Sequence, residues 1–181
     1  MSDPLIALMK FLKALLAVIL ALAVLVTIVG FFLPRDFEVT REVEIAAPPA
    51  EVFPFINTLS KRKAWSPFQT PETENTFEGP ASGAGATMIF EGGKIIITSS
   101  KTNERVVYET HFDNGYPTST SDISFSETTP GKTLVSWKFT GKVRADPFRR
   151  YYILRIDSDT GAKHQKGLDK LKQVIESDAQ G

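Results

Sequence analysis

A run of about twenty residues, ALLAVILALAVLVTIVGFFL from Ala14 to Leu33, carries no charge. At 1.5 Å rise per residue it spans about 30 Å, the thickness of a bilayer's hydrocarbon core. Lys10 and Lys13 precede it, and Pro34-Arg35-Asp36 follow it. This run divides the chain into a membrane helix and whatever folds after it. A buried core helix is a poor alternative, because core helices are seldom apolar on every face. A cleaved signal peptide is a better one. Its apolar region is usually about 7–15 residues with small residues at the exit, whereas this run ends in Gly-Phe-Phe-Leu-Pro. The expectation is an uncleaved anchor.

Lys10, Lys13 and the chain's amine sit before the span, and Arg35 and Arg41 after it. A short basic tail favours the inner side of the membrane. The amino terminus is therefore expected inside, with the following domain extracytoplasmic, which in a bacterium means periplasmic. The absence of cysteine fits either side.

The expected organisation is a tail at 1–13, a transmembrane anchor at 14–33, a linker at 34–36, one domain at 37–177 and a tail at 178–181. A segment of this size buries a core without disulfides or metals. Lysine plus arginine equals aspartate plus glutamate at 21 each, so no basic excess points to nucleic acid. No metal site is expected either, with no cysteine and only two histidines, which are far apart in the sequence. No cofactor is implied.

Phe37 to Ile45 alternates. Phe37, Val39, Val43 and Ile45 share one face, and Glu38, Thr40, Glu42 and Glu44 the other, as in a strand with one buried side. Pro48-Pro49 then opens a short helix with Val52, Ile56 and Leu59 inward, strained at Pro54. A second short helix follows through Lys61-Arg62-Lys63. Strands are predicted at 74–79, 86–91, 94–101, 104–112, 119–128 and 132–141, with turns at Gly92-Gly93 and Pro130-Gly131. Asp146-Pro147 is a capped helix start. The helix is predicted to run to about Ser177, with a late start or a break allowed for. Ile153, Ile156, Leu168, Leu171, Val174 and Ile175 lie on one side, and Thr160, His164 and Gly167 fall in the same sector. This is an α+β helix-grip: a curved antiparallel sheet around a long carboxy-terminal helix, preceded by one transmembrane helix. Such a grip leaves a cavity between sheet and helix.

Several motifs occur in order. Phe37-x-Val39-x-Arg41 leads to Ile45-x-Ala47-Pro48-Pro49-x-Glu51-Val52-Phe53, followed by Trp65-Ser66-Pro67. Gly79-Pro80-x-x-Gly83-x-Gly85-Ala86 comes next, and Gly167-Leu168-Asp169-Lys170-Leu171-Lys172 closes the series. Over Phe37 to Glu176 the chain resembles the SRPBCC or START-like superfamily, also called Bet v 1-like, and within it the polyketide cyclase/dehydrase-like bacterial branch. The resemblance implies the helix-grip fold and a ligand such as a lipid, sterol, hormone or polyketide. It implies no particular activity, since only some members are enzymes. It also implies that the loop with Gly79, Pro80, Gly83 and Gly85 gates ligand entry. A phosphate cradle is the weaker reading of that loop, because a strand rather than a helix follows it.

The ligand-cavity candidates are Arg41, Trp65, Tyr108, Phe112, Phe125, Trp137, Phe139, Ile156, Thr160 and His164. Aromatic walls with few polar groups suit an apolar ligand. His164, on the cavity side of the last helix, would orient a polar head or act as an acid/base. Its alternative is a core histidine bonded to a backbone carbonyl. His111 falls on the outer face of its strand. Arg41, the one charge on the inner face of the first strand, would grip a carboxylate or phosphate. Otherwise it reaches water at the barrel mouth, and the resemblance implies a pairing with an acidic neighbour. Three functions follow: a membrane-anchored binding module for a hydrophobic or amphiphilic small molecule such as a lipid, a cyclase, dehydratase or hydrolase using His164, or an interaction module with a filled core. The bilayer and the ligand are the expected partners; the residues name no protein partner.

Overall fold

A computed structural model describes residues 4–69 and 74–178. The expected tails at 1–13 and 178–181 thus have residues 1–3 and 179–181 outside the described residues. The apolar helix, α1, runs from Pro4 to Phe32 over 29 residues. It begins at Pro4 rather than Ala14, so Lys10 and Lys13 are helical. Its mean hydropathy is 3.0 in the most apolar window. By length and composition it is a helix able to cross a membrane, and a signal sequence has the same character. Its side chains are exposed except near its carboxy-terminal end.

The next element, β1 (Asp36–Ile45), is the alternating strand. After it come α2 (Pro49–Asn57), with Pro48 as the extended residue before it, and a 3₁₀ turn at Leu59–Ala64. Pro54 is tolerated inside α2, which is only nine residues long. Six further strands follow: β2 (Thr76–Glu78), β3 (Thr87–Phe90), β4 (Gly93–Lys101), β5 (Arg105–Phe112), β6 (Ser119–Thr129) and β7 (Lys132–Lys142). The sheet order is β1-β7-β6-β5-β4-β3-β2, and every pairing is antiparallel. Consecutive hairpins build it from β2 to β7, and β1 returns to close against β7.

The helix expected after Asp146 has the break that was allowed for. Asp146 caps one turn, α3 (Pro147–Arg150), accepting a hydrogen bond from the Arg149 amide at 2.9 Å. A 3₁₀ turn covers Tyr151–Leu154, a π-turn Asp157–Gly161, and α4 runs from Ala162 to Asp178. The π-turn widens the helix by one residue per turn. This changes the phase, so Ile156 and the later His164, Leu168 and Leu171 all reach the sheet.

The core lies between the concave sheet face, α2 and α4. It is built on Val52, Ile56, Leu59, Trp65, Val106, Ile123, Val135, Leu168 and Leu171. A smaller cluster, Val39, Val143 and Ile156 with Phe37 and Ile153 against it, fills the end nearest α1. At that end α1 and the domain are joined. Gly30 lies so close to Pro147 that a Cβ there would sit 2.4 Å from the Pro147 carbonyl oxygen. Arg150 donates to the carbonyls of Phe31 and Leu33, and the Tyr151 hydroxyl donates to the Val26 carbonyl at 2.8 Å. A cation at the carboxy-terminal end of α1 also complements the helix dipole.

Candidate functional site

Sheet register dictates what faces the grip. Arg41, Trp137, Ile123 and Val106 form one row across β1, β7, β6 and β5. Val39, Phe139, Ser121, Tyr108 and Ile97 form the next, extending into β4. Phe37 and Gly141, then Ser119, Thr110 and Ile95, form the row nearest α1. Small residues in the latter two rows, Ser121, Ser119 and Gly141, leave space that larger ones would fill.

That space is a cavity of about 820 Å³, at the upper end of the range for small-molecule sites. A cavity of this size is what the grip was expected to leave, and it speaks against the filled-core alternative. The cavity has a gradient of exposure. At its floor, Tyr108 and Trp137 are 1 % exposed, His164 2 % and Arg62 3 %. At its mouth, Phe68, Phe112, Tyr116 and Tyr152 are exposed. The walls between are Phe139, Ser121, Met88, Ile95, Phe90 and Ile156. At the rim Thr160 and Tyr152 join hydroxyls at 3.2 Å.

The mouth lies at the α1 end of the domain. It is lined by Phe37 at the start of β1, Lys142 at the end of β7, Phe112 at the end of β5, and Arg149 and Tyr152 next to the α1 junction. The loop expected to gate entry lies elsewhere. The Gly83 amide donates to the Asn57 carbonyl at 3.0 Å and the Gly85 amide to the Ile97 carbonyl at 2.8 Å. Gly79, Pro80, Gly83 and Gly85 therefore sit at the opposite end, over the end of α2, and none lines the cavity. The correction follows from antiparallel pairing. β3 meets β4 as Thr87 with Ile96 and Phe90 with Gly93, so the chain before β3 belongs to the far end and the Gly92-Gly93 turn to the mouth.

Seven of the ten residues expected at the cavity line it: Tyr108, Phe112, Trp137, Phe139, Ile156, Thr160 and His164. Three do not. Trp65 lies beneath the floor, edge-on to Trp137 with ring centroids 5.6 Å apart, donating from Nε1 to the Phe55 carbonyl at 3.0 Å. Phe125 packs edge-on to Phe53 in the core. Arg41 turns to the π-turn, where Nη2 donates to the Asp157 carboxylate at 2.9 Å and to the Asp157 carbonyl at 3.0 Å. Gly161 covers the guanidinium.

His164 is enclosed by aromatic rings, with centroids 4.1 Å from Trp137, 4.7 Å from Phe139 and 5.7 Å from Phe68. Among the described residues its Nδ1 has no hydrogen-bond partner, so the alternative of a carbonyl-bonded core histidine finds no support there. Burial, and then the positive charges of Arg62 and Arg41, push its pKa down to about 4. It is a neutral imidazole at pH 7. His111 instead meets Glu109 at 3.1 Å and Thr118 at 3.2 Å.

Arg62 is the floor residue that the sequence reading passed over. Within Lys61-Arg62-Lys63 it looks like surface charge. The 3₁₀ turn has three residues per turn, so Leu59, Arg62 and Trp65 fall on one side, and all three are buried. That spacing was the available signal. The Arg62 guanidinium lies 4.8 Å from the ring centroid of Tyr108 and 5.1 Å from that of Trp65.

Residues 36–176 match the family model described as polyketide cyclase/dehydrase and lipid transport. This chain belongs to that family. No curated protein matches it. Among solved structures, the family domain is similar to a Staphylococcus aureus protein of unknown function, with TM-score 0.63 and 15 % identity over 81 % of this chain and 98 % of that one. It is similar to a point mutant of norcoclaurine synthase from Thalictrum flavum in complex with a transition-state analogue, with TM-score 0.61 and 11 % identity over 81 % of this chain and 98 % of that one. It is also similar to Ara h 8.0201, with TM-score 0.58 and 13 % identity over 78 % of this chain and 99 % of that one. At such identities the likeness is one of fold, the Bet v 1-like helix-grip of the START-like superfamily.

Proposed function

We propose that this protein is a membrane-anchored binding module that takes up a hydrophobic or amphiphilic molecule, lipid in origin, from the bilayer that α1 spans. One observation carries the reading: the mouth of the cavity opens at the end of the domain where α1 enters it. The family's name includes lipid transport, and aromatic and aliphatic walls supply apolar burial at about 25 cal/mol per Å². The contacts of Gly30, Phe31 and Leu33 with the domain support an anchor that stays attached. In the segment that supplies the lining residues Arg149 and Tyr152, Phe148 and Leu154 are exposed next in sequence to Arg149 and Arg155. Such a mixture suits the headgroup region, where apolar side chains insert and cations stay with phosphates.

The domain is assigned to the extracytoplasmic side. Lys10 and Lys13 favour an inner amino terminus, while Arg41 is drawn into the domain by Asp157. The chain has no cysteine, so single cysteines placed at Ser2 and Ser177 report the side by labelling of intact cells.

Catalysis by His164 has less support. A pKa of about 4 lies far from the value that favours proton transfer near neutrality, and among the described residues no carboxylate orients the ring. The test is native mass spectrometry of the full chain extracted from its host membrane in nanodiscs, with identification of bound lipid. A stoichiometric lipid or lipid-derived molecule is expected. An empty cavity in every preparation would overturn the reading.

A further inference from the structure

Arg62 is a buried cation with no acidic partner among the described residues. Its Nε and Nη1 are buried and have no hydrogen-bond partner. Removing a guanidinium from water costs several kcal/mol unless charge and hydrogen bonds replace the solvent. The rings of Trp65 and Tyr108 offset part of this through cation–π attraction. They leave the Nε and Nη1 hydrogens without an acceptor among the described residues.

The other unpartnered polar atoms around it are also notable for what they offer. Tyr108 Oη and Trp137 Nε1 are buried without partners on the same floor, as is His164 Nδ1, and Ser119 Oγ lies one row nearer the mouth. Arginine and tryptophan nitrogens can only donate, and the hydroxyls can donate too. A floor of donors around a permanent positive charge is complementary to an acceptor-rich anion. The rest of the cavity has the same sign. Among the described residues, Lys142, Arg144, Arg149 and Lys163 line it nearer the mouth, against Glu91 as the one acidic lining residue. Lys142 and Arg149 are paired with Asp36 and Asp146. Arg144 and Lys163 lie over the rings of Tyr116 and Phe68.

We propose that the cavity floor is an oxyanion site centred on Arg62, and that the ligand is an acidic amphiphile. Its carboxylate or phosphate head enters first and its apolar tail fills the walls and mouth. This rests on the reading of the cavity as a site for apolar molecules, and it adds the class of head and the direction of entry. The cations nearer the mouth attract the head, and the deeper, drier Arg62 holds it, because a charge pair strengthens as water is excluded. An anion on the floor also offsets the positive field that Arg62 imposes on His164.

The test uses the full chain in phosphatidylcholine nanodiscs, with partition into empty nanodiscs subtracted. The probes are dodecanoate, dodecyl phosphate, dodecanol and dodecyltrimethylammonium, together with acetate and inorganic phosphate alone. The two acidic amphiphiles are expected to bind about tenfold or more tightly than dodecanol, as one charge-assisted contact provides. Arg62→Gln is expected to abolish the preference of the acids over dodecanol, read as the ratio of their affinities in the same variant. Dodecanoate, but not dodecanol, is expected to move the His164 ring resonances toward protonation at a higher pH. Equal binding of acid and alcohol to the wild type overturns the proposal and leaves the apolar reading standing; this arm needs no variant to fold. Binding of acetate or phosphate as tight as that of the amphiphiles overturns it in favour of a small-anion site. Binding of no probe overturns the apolar reading itself.

Discussion

The imidazole of His164 lies against the indole of Trp137, with ring centroids 4.1 Å apart and planes tilted by 40°. The contact joins α4 to the centre of the sheet at the floor of the cavity. It also places a titratable group in a buried position, 2 % exposed.

The protonation of His164 therefore opposes folding. Its pKa is lowered from 6.5 to about 4 in the folded state. The unfolded chain binds the proton first, so stability is full above pH 6.5 and falls as the pH drops from there toward 4. The loss is on the order of 3 kcal/mol across that window. Urea unfolding followed by tryptophan fluorescence at pH 7 and pH 4.5 measures it. His164→Phe keeps an aromatic ring and is expected to flatten this part of the pH dependence.

Arg62→Met is expected to stabilise the ligand-free protein by about 1–2 kcal/mol, because an unpaired buried charge gives way to an apolar chain of similar length. A thermal melt of the empty protein reads the change. A loss of stability would show that Trp65 and Tyr108 already compensate the guanidinium in full.

Gly161 and Arg41 are coupled. A Cβ at Gly161 would sit 2.2 Å from Arg41 Nη2, so Gly161→Ala must displace the guanidinium from Asp157. The cost is expected to be about 1–3 kcal/mol despite alanine's better helix propensity. In an Arg41→Ala background the same substitution is expected to cost much less. A double-mutant cycle in urea measures the coupling.

Phe148 and Leu154 are 62 % and 68 % exposed, and they neighbour the lining residues Arg149, Tyr152 and Ile156 in sequence. Phe148→Asp with Leu154→Asp is expected to leave the unfolding midpoint nearly unchanged, because surface changes are usually within about 0.5 kcal/mol. Transfer of a fluorescent fatty acid from vesicles to the full chain is expected to slow several-fold if these side chains sit in the headgroup region.

Much of the architecture was legible because it is written in local periodicity. Strict alternation from Phe37 to Ile45 identified β1 to within one residue, and Gly92-Gly93 and Pro130-Gly131 marked hairpin turns. The last helix was legible only in part. Asp146-Pro147 announced its start, but the π-turn at Asp157–Gly161 packs against Arg41, more than a hundred residues earlier in the chain. Tyr108, Trp137, Phe139 and His164 were found at the cavity because strand and helix faces expose them to it. Arg62 was missed because its neighbours in sequence are lysines, while its neighbours in space are the rings of Trp65 and Tyr108.

The amino-acid order alone settles the apolar span, the number and direction of the strands, and the grip around a final helix, since these follow from hydrophobic spacing within each segment. Where the cavity opens, which end meets α1, and which cation is buried were decided only when distant segments packed together. Strand register carried the Gly79–Gly85 loop to the far end and brought Arg149 and Arg150 to α1. The 3₁₀ turn carried Arg62 under the sheet. Charge, burial and distance at a site are properties of that assembly, and spacing along the chain does not encode them.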